Sequence, residues 1–204
     1  MKKQIALSLL ILVAVISFSC KNTTKKEENT HTKSYSIDSR TTSIKWTAYK
    51  TTNKVPVKGE FSTVSIDTLK TGSSVKEVLN NLKFSIPVNS LFTNDTIRDG
   101  KLKKFFFGTM ENTSNILGEI HMLNETSGNV DITMNGITQS LPITYVIDGQ
   151  MATIEAVMDL DNWKAQAAIT ALNTVCAELH AGEDGISKTW SEVKIEVATY
   201  LNYN

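Results

Sequence analysis

From residue 34 onward, apolar and polar residues alternate along most of the chain. Ile44, Trp46 and Ala48 alternate with polar neighbours, and Leu82 to Val88 repeat the pattern. Further alternating runs occur at residues 116–122, 130–134, 141–147, 154–160 and 193–197. A period of two residues places alternate side chains on opposite faces of a strand, so these runs predict half-buried β-strands.

Another strand is predicted over residues 55–68, around Gly59 and Phe61, which brings the expected number to seven to nine. The short links at residues 126–129 and 148–150 predict antiparallel neighbours. Pro87 and Pro142 lie inside patterned runs and cannot donate a ladder hydrogen bond. We therefore place them at sheet edges or bulges.

Two segments have helical rather than strand spacing. Residues 73–81 carry Val75, Val78 and Leu79 at the spacing of a short helix. Residues 161–181 predict a longer helix that Asp161 or Asn162 caps and Gly182 ends. Its apolar stripe consists of Trp163, Ala167, Ala168, Leu172, Val175, Cys176 and Leu179.

Residues 94–108 follow neither period cleanly. Six charged side chains come first, and then Phe105, Phe106 and Phe107 follow consecutively. A strand would expose Phe106 on its wet face, so we predict a short polar helical turn that ends in an aromatic wedge.

These elements predict an all-β fold of about eight antiparallel strands, with one longer and one or two short helices. A closed barrel or strongly curled sheet suits this pattern better than a sandwich. An eight-stranded barrel is wide enough to hold one small ligand.

The first twenty residues have the pattern of an export signal. Lys2 and Lys3 precede an apolar segment at residues 5–16 that is short for a membrane span. Cys20 follows small residues, as in a bacterial lipobox, although Ser17 stands where that motif usually has leucine. Lipidation of Cys20 is the favoured interpretation, and ordinary signal cleavage to a soluble periplasmic or secreted protein is the alternative. Residues 21–33 lack aliphatic and aromatic side chains and predict a flexible tether, in which His31 is a solvated bystander.

The predicted organisation is therefore a lipoprotein signal peptide at 1–19, a lipidated cysteine and tether at 20–33, and one β-barrel domain at 34–204. The localisation we expect is the cell envelope, anchored by lipid to a membrane that faces the periplasm or the outside. The 204 residues include 41% apolar and 21% charged side chains, which is ordinary for a globular protein. Removal of the leader leaves 19 basic against 21 acidic residues, a balance that does not favour nucleic-acid binding.

Four groups of residues, in this order and spacing, resemble the YceI family over residues 34–201. They are Tyr35, Ile37 and Asp38; Gly59, Glu60 and Phe61; Arg98, Asp99, Leu102, Phe105 and Phe106; and Asn135, Gly136, Ile137 and Thr138. The resemblance implies an extended, lipocalin-like antiparallel β-barrel with a long apolar cavity that binds a polyisoprenoid or similar amphiphile. The helix at 161–181 is longer than the connection typical of the family and would reshape or partly close that cavity.

The inward alternating residues are the candidate cavity lining, with core filling as the alternative role for each. The best candidates are Trp46, Phe61, Phe84, Ile86, Phe105, Phe106 and Trp163. For Arg98, an ion pair with Asp99 or Asp95 is favoured over contact with a phosphate head group.

Catalytic, metal and cofactor patterns have little support. Cys176 and His180 share a helix face, but the cysteine lies in the apolar stripe, which favours a buried inert thiol without a disulfide partner. His121 lies on the polar phase of its strand, without a carboxylate pattern near it in the sequence, and is expected to be a surface residue. Asp159 and Asp161 are expected to end a strand and cap a helix, and Glu183 and Asp184 to lie in a solvated turn. No cofactor or metal is expected.

Three hypotheses remain open at this point. The first is a membrane-tethered protein that carries or sequesters an isoprenoid or related lipid. The second is an interaction lipoprotein whose barrel is filled by its own side chains. The third is a lipid-modifying enzyme that uses Cys176 and His180.

Overall fold

The structure is a computed structural model that describes residues 34–66 and 70–204. The predicted signal peptide, Cys20, the tether and His31 lie outside the described residues. No helix within the described ranges is both long and apolar enough to cross a membrane.

The described chain forms one mostly antiparallel sheet of eleven strands. The strands are β1 (Tyr35–Lys50), β2 (Val55–Phe61), β3 (Ser65–Ile66), β4 (Thr71–Gly72), β5 (Lys83–Pro87), β6 (Leu91–Phe92), β7 (Asn115–Met122), β8 (Ser127–Met134), β9 (Ile137–Asp148), β10 (Met151–Asp159) and β11 (Thr189–Tyr203). Three of these strands, β3, β4 and β6, have two residues each, and the remaining eight are longer.

The strand order is β3-β5-β7-β8-β9-β10-β11-β1-β2-β6, and β4 pairs with β1. Strand β3 continues β2 along the chain and pairs with β5, while β6 continues β5 and pairs with β2. The two ends of the sheet therefore meet through these short ladders, and the sheet curls around an apolar interior. The all-β, lipocalin-like fold class is confirmed. The predicted number of about eight strands was too low.

The helices are short and lie between strands. They are α1 (Val75–Leu79), α2 (Thr96–Lys101), α3 (Gln166–Val175) and α4 (Ala177–His180). Single turns of 3-10 helix occur at Val88–Ser90, Phe107–Thr109 and Leu160–Trp163, and a π-helical turn spans Leu102–Phe106. Ser74 caps α1 by accepting a hydrogen bond from the Glu77 N–H. The short helix predicted in residues 73–81 is confirmed, over the narrower range Val75–Leu79.

The single helix predicted over 161–181 was wrong, because the backbone breaks twice. Lys164 adopts the left-handed conformation with φ 52° and ends the first turn, and Cys176 separates α3 from α4. Asp159, rather than Asp161 or Asn162, provides the side-chain cap. Of the predicted stripe, Trp163, Ala168, Leu172 and Cys176 are buried, whereas Ala167 and Leu179 are exposed.

Both prolines lie at positions where strand pairing does not need a backbone N–H donor. Pro87 is the last residue of β5. Pro142 pairs with Asn129 of β8, but the ladder from β9 to β10 covers only Thr144 to Asp148. Pro142 therefore has no β10 partner opposite it, in agreement with the predicted irregular or edge position.

Candidate ligand-binding cavity

An apolar cavity of about 220 Å³ lies inside the curled sheet. The inward residues of nearly every long strand border it, including Ile44 of β1, Ile132 of β8 and Ile195 of β11. These residues come from the alternating runs, so the same period that forms the strands also makes the lining apolar. Thr42, Thr189 and Thr199 also border the cavity, but their hydroxyl groups are paired elsewhere: the Oγ1 atoms of Thr42 and Thr199 lie 2.7 Å apart, and Thr189 Oγ1 donates to Asn173 Oδ1.

Two glycines help to keep the interior hollow. Gly59 pairs across the sheet with Trp46, and Gly118 pairs with Phe84. A Cβ atom at either glycine would lie 2.2 Å from the facing aromatic ring. Each aromatic ring therefore lies against the backbone of its glycine. A side chain in place of either glycine would push the ring into the cavity.

The segment at residues 94–108 closes part of the cavity and is organised by its acidic residues. Asp95 caps α2 by accepting hydrogen bonds from the N–H groups of Ile97 and Arg98, and the Arg98 N–H lowers the pKa of the Asp95 carboxyl. Asp99 is buried, and its Oδ1 accepts hydrogen bonds from the N–H and hydroxyl of Thr93 at 2.9 and 2.6 Å. These bonds fix the start of the aromatic wedge.

A π-helical turn then orients the phenylalanines. The Phe107 N–H donates to the Leu102 carbonyl five residues earlier, so Leu102, Phe106 and Phe107 all reach the cavity wall. The rings of Phe106 and Phe107 meet edge to face at 4.9 Å, and Phe61 extends the cluster at 6.4 Å from Phe107. Helix α3 packs against this turn and adds Leu172 to the wall.

A second cavity, of about 230 Å³, adjoins the first between β1, α2, α3 and α4. Its wall is more polar and contains the side chains of Lys50, Asp95, Arg98, Lys101 and His180. Both cavities share five wall residues, which are Trp46, Ala48, Leu102, Leu172 and Thr189. A layer one side chain thick therefore separates an apolar space from a cationic one.

His180 is held in the wall of the second cavity. Its Nδ1 lies 2.7 Å from Thr189 Oγ1 and 3.2 Å from Asn173 Oδ1. Burial lowers the pKa of the imidazole, and the charges of Lys50 and Lys101 lower it further. The imidazole is therefore mostly neutral at pH 7. The charges of both lysines reach it, which places Lys50, Lys101 and His180 around the same space.

The structure brings five of the predicted site residues together in the apolar wall. They are Trp46, Phe61, Phe84, Ile86 and Phe106. Arg98 lies in the second cavity, where its guanidinium is 3.5 Å from Asp95 Oδ2, one of the two carboxylates expected as its partner.

Phe105 and Trp163 lie outside the walls of both cavities. The turn that points Phe106 inward leaves Phe105 half-buried, with the Lys104 ammonium 5.1 Å from its ring. Trp163 is fully packed and donates its indole N–H to the Ile132 carbonyl at 2.9 Å. Their placement as cavity residues is corrected accordingly, while contact of the other residues with a ligand stays a prediction.

Sequence reasoning did not select Phe107, Leu102 or Leu172 for the wall. Leu102 and Phe106 are four residues apart, and this helical spacing is a signal for both. Phe107 reaches the same wall only through the five-residue turn, which no sequence period indicates.

The residues considered for catalysis have structural partners. Cys176 is buried and free of a disulfide, and the His180 ring bonds Thr189 and Asn173 rather than the thiol. His121 is half-buried, and Asp131 of the neighbouring strand lies 3.4 Å from its Nε2, a partner that no local sequence pattern indicates. Asp184 accepts hydrogen bonds from Thr52 and the Ile186 N–H. Within the described ranges, no three metal-binding side chains cluster.

Comparisons with known proteins agree with this architecture. The family model for the YceI-like domain matches residues 35–200. A polyisoprenoid binding domain from Saccharophagus degradans, implicated in plant cell wall breakdown, has a TM-score of 0.60 at 13% identity over 83% of this chain and 98% of its own. BcnA from Burkholderia cenocepacia has a TM-score of 0.53 at 15% identity over 81% of this chain and 99% of its own. No curated protein matches the sequence. At these identities the two structures show a common fold.

Proposed function

The chain belongs to the family of YceI-like domains, and on that premise we propose that it binds a polyisoprenoid or similar long-chain amphiphile in its apolar cavity. The observation that carries this proposal is an interior space bordered almost wholly by apolar side chains of the sheet and the aromatic wedge. A solved structure with the same fold is a polyisoprenoid binding domain, which supports the same ligand class.

The physical driving force for such binding is burial of the hydrocarbon chain. A chain that buries several hundred Å² of apolar surface gains on the order of 10 kcal/mol at about 25 cal/mol per Å², before the costs of association and ordering are subtracted. No charged contact is needed for the tail itself. Ligand binding without catalysis also agrees with the buried thiol of Cys176 and with the hydrogen bonds of His180 to Thr189 and Asn173.

The size of the cavity limits how the ligand is held. Its volume of about 220 Å³ is below the ~300–1,000 Å³ of ordinary small-molecule pockets. A long chain therefore occupies the cavity in part, or widens it by moving flexible side chains. Met134 and Met158 lie in the wall and are suited to such movement, because the unbranched thioether repacks easily.

Tethering to a membrane and carriage of the lipid across the aqueous envelope space complete the proposal. The support is the signal-like N-terminus that ends at Cys20 and the polar segment that follows it. Two or more acyl chains, at about 0.8 kcal/mol per buried CH₂, would hold the protein stably on a membrane. In cells fed a clickable fatty acid, we expect the wild type to be labelled and Cys20→Ala to be unlabelled. Equal labelling of both would overturn the anchor.

Organic extraction of the purified protein followed by mass spectrometry tests the binding function. We expect a long-chain lipid to co-purify, and the lipid-free protein to take up geranylgeraniol. Repeated absence of both would overturn lipid binding and favour an interaction lipoprotein with a filled barrel.

A further inference from the structure

The second cavity is built for the polar end of an amphiphile. Three cationic side chains, Lys50, Arg98 and Lys101, lie in its wall against one carboxylate, Asp95. Three cations against one carboxylate give this wall an excess of positive charge. A cavity with this balance attracts an anion, and the attraction is stronger where the surrounding protein excludes water.

The two lysines are available to a ligand. Lys50 Nζ donates to the Leu179 carbonyl at 2.8 Å, and Lys101 Nζ lies 3.5 Å from the Val175 carbonyl. These contacts place each ammonium at the end of a short helix, yet an ammonium has three donors and only one is used in each case. Within the described residues, neither lysine lies within ion-pair distance of a carboxylate, although the charge of Lys101 helps to lower the pKa of Asp95.

Trp46 supplies an independent observation at the boundary between the cavities. Its side chain lies in both walls and is 7% exposed. Its Nε1 atom has no hydrogen-bond partner among the described residues. Buried polar groups in proteins are nearly always paired, so an unpaired donor at this position calls for an acceptor from outside the chain. An oxygen atom near the head of a bound lipid meets that need once the ring turns its N–H toward the cavity, because Nε1 itself is fully buried in this structure.

We propose that the chain binds amphiphiles with an acidic head, a phosphate or a carboxylate, whose tail lies in the apolar cavity and whose head lies among Lys50, Arg98 and Lys101. The Trp46 indole N–H donates to an oxygen where the ligand crosses the shared wall. This inference rests on the proposed lipid-binding function and specifies its ligand class.

The test compares ligands that share a tail and differ in the head. Palmitate against hexadecanol tests a carboxylate, and geranylgeranyl diphosphate against geranylgeraniol tests a phosphate. Binding is measured with the full chain at about pH 7.5, where the acidic heads are ionised. We expect the acidic member of at least one pair to bind about tenfold more tightly than its alcohol, with a difference that shrinks as salt is added. The pair that shows the difference identifies the head.

Variants locate the charge recognition. The double variant Lys50→Gln, Lys101→Gln is expected to lose the preference, so that it binds the acidic lipid no better than the alcohol. The matched control is Lys104→Gln, an exposed lysine of the same segment that lies outside both cavities and should retain the preference. Trp46→Phe keeps a ring but removes the donor, and we expect it to weaken acid and alcohol alike by about fivefold.

Each contrary result has a separate meaning. Equal binding of acid and alcohol by the wild type in both pairs would overturn the inference while the lipid-binding function stands. A preference that survives in the double variant, or unchanged binding in Trp46→Phe, would overturn this location of the head. If no lipid of either pair binds, the proposed function falls and the inference falls with it.

Discussion

Trp163 and Phe106 are both buried aromatic residues on helical turns between strands, but only Phe106 borders the cavity. Trp163 is surrounded by protein, and its only polar side-chain atom donates a hydrogen bond to the Ile132 carbonyl. Phe106 packs on Phe107 with one side and borders the cavity with another. Burial alone therefore does not separate a residue that fills the interior from one that lines a binding site. The two should respond differently to truncation.

Trp163→Ala is expected to have the largest effect on folding. Loss of a fully packed aromatic side chain costs about 3–5 kcal/mol in free energy of unfolding, and the indole hydrogen bond is lost with it. Urea denaturation measures the loss, and lipid titration of the remaining folded protein should give wild-type affinity. An affinity that falls in step with stability would place Trp163 in the site.

Phe106→Ala is expected to show the opposite balance. Its ring already faces open space on one side, so the free energy of unfolding should fall by less than the ~3–5 kcal/mol typical of a packed phenylalanine. Lipid affinity per folded molecule should fall about tenfold, because the ring forms part of the wall. A full-size loss of stability with unchanged affinity would show that the wedge is only core.

Two alanines on β10 sharpen the comparison by adding atoms instead of removing them. Ala152 is completely buried and lies outside the cavity wall, whereas Ala156, four residues on, lies in it. Ala152→Leu should overpack the core and cost about 1–3 kcal/mol. Ala156→Leu should change the free energy of unfolding by less than about 1 kcal/mol, because the added methyl groups enter open space.

Ligand binding should follow the reverse order in these two variants. Ala156→Leu takes up room that the lipid needs and should weaken its binding, while Ala152→Leu should leave affinity per folded molecule unchanged. If both variants lose equal stability and neither changes lipid affinity, the space beside Ala156 is not used by the ligand.

The smallest expected effect concerns His180 and pH. Its folded-state pKa lies below the ordinary value of 6.5 because burial and two lysines disfavour the imidazolium. As pH falls through about 6.5 the unfolded state takes up the proton first, so stability is full above this value and decreases below it, toward the folded-state pKa. We expect the melting temperature to drop between about pH 7.5 and 5.5, and to drop less in His180→Gln. An identical drop in both proteins would assign the effect to other groups.

Several features of this molecule follow from the sequence because they depend on local pattern. The strands follow from the period of two, and their inward residues include Trp46, Phe61, Phe84 and Ile86 of the cavity wall. An ion pair between Arg98 and a nearby aspartate was expected from their adjacency, and Asp95 provides it.

Other features depend on how distant segments meet. The glycines opposite Trp46 and Phe84 acquire their role only once the register of the strands is fixed. The left-handed Lys164 breaks a segment whose apolar spacing suits one helix, so the predicted length was wrong. The second cavity joins β1 to helices more than forty residues away, and no local pattern indicates that Lys50 and Lys101 act together on His180.

The most direct measurement of the central claim is a crystal structure of the protein grown with a fatty alcohol that carries bromine at the end of its tail. The anomalous signal of bromine locates the tail without interpretation of weak chain density. We expect the peak inside the curled sheet, beside residues such as Phe84 and Phe106. A bromine peak on the outer surface, with the interior unchanged, would contradict the claim that this cavity holds the lipid.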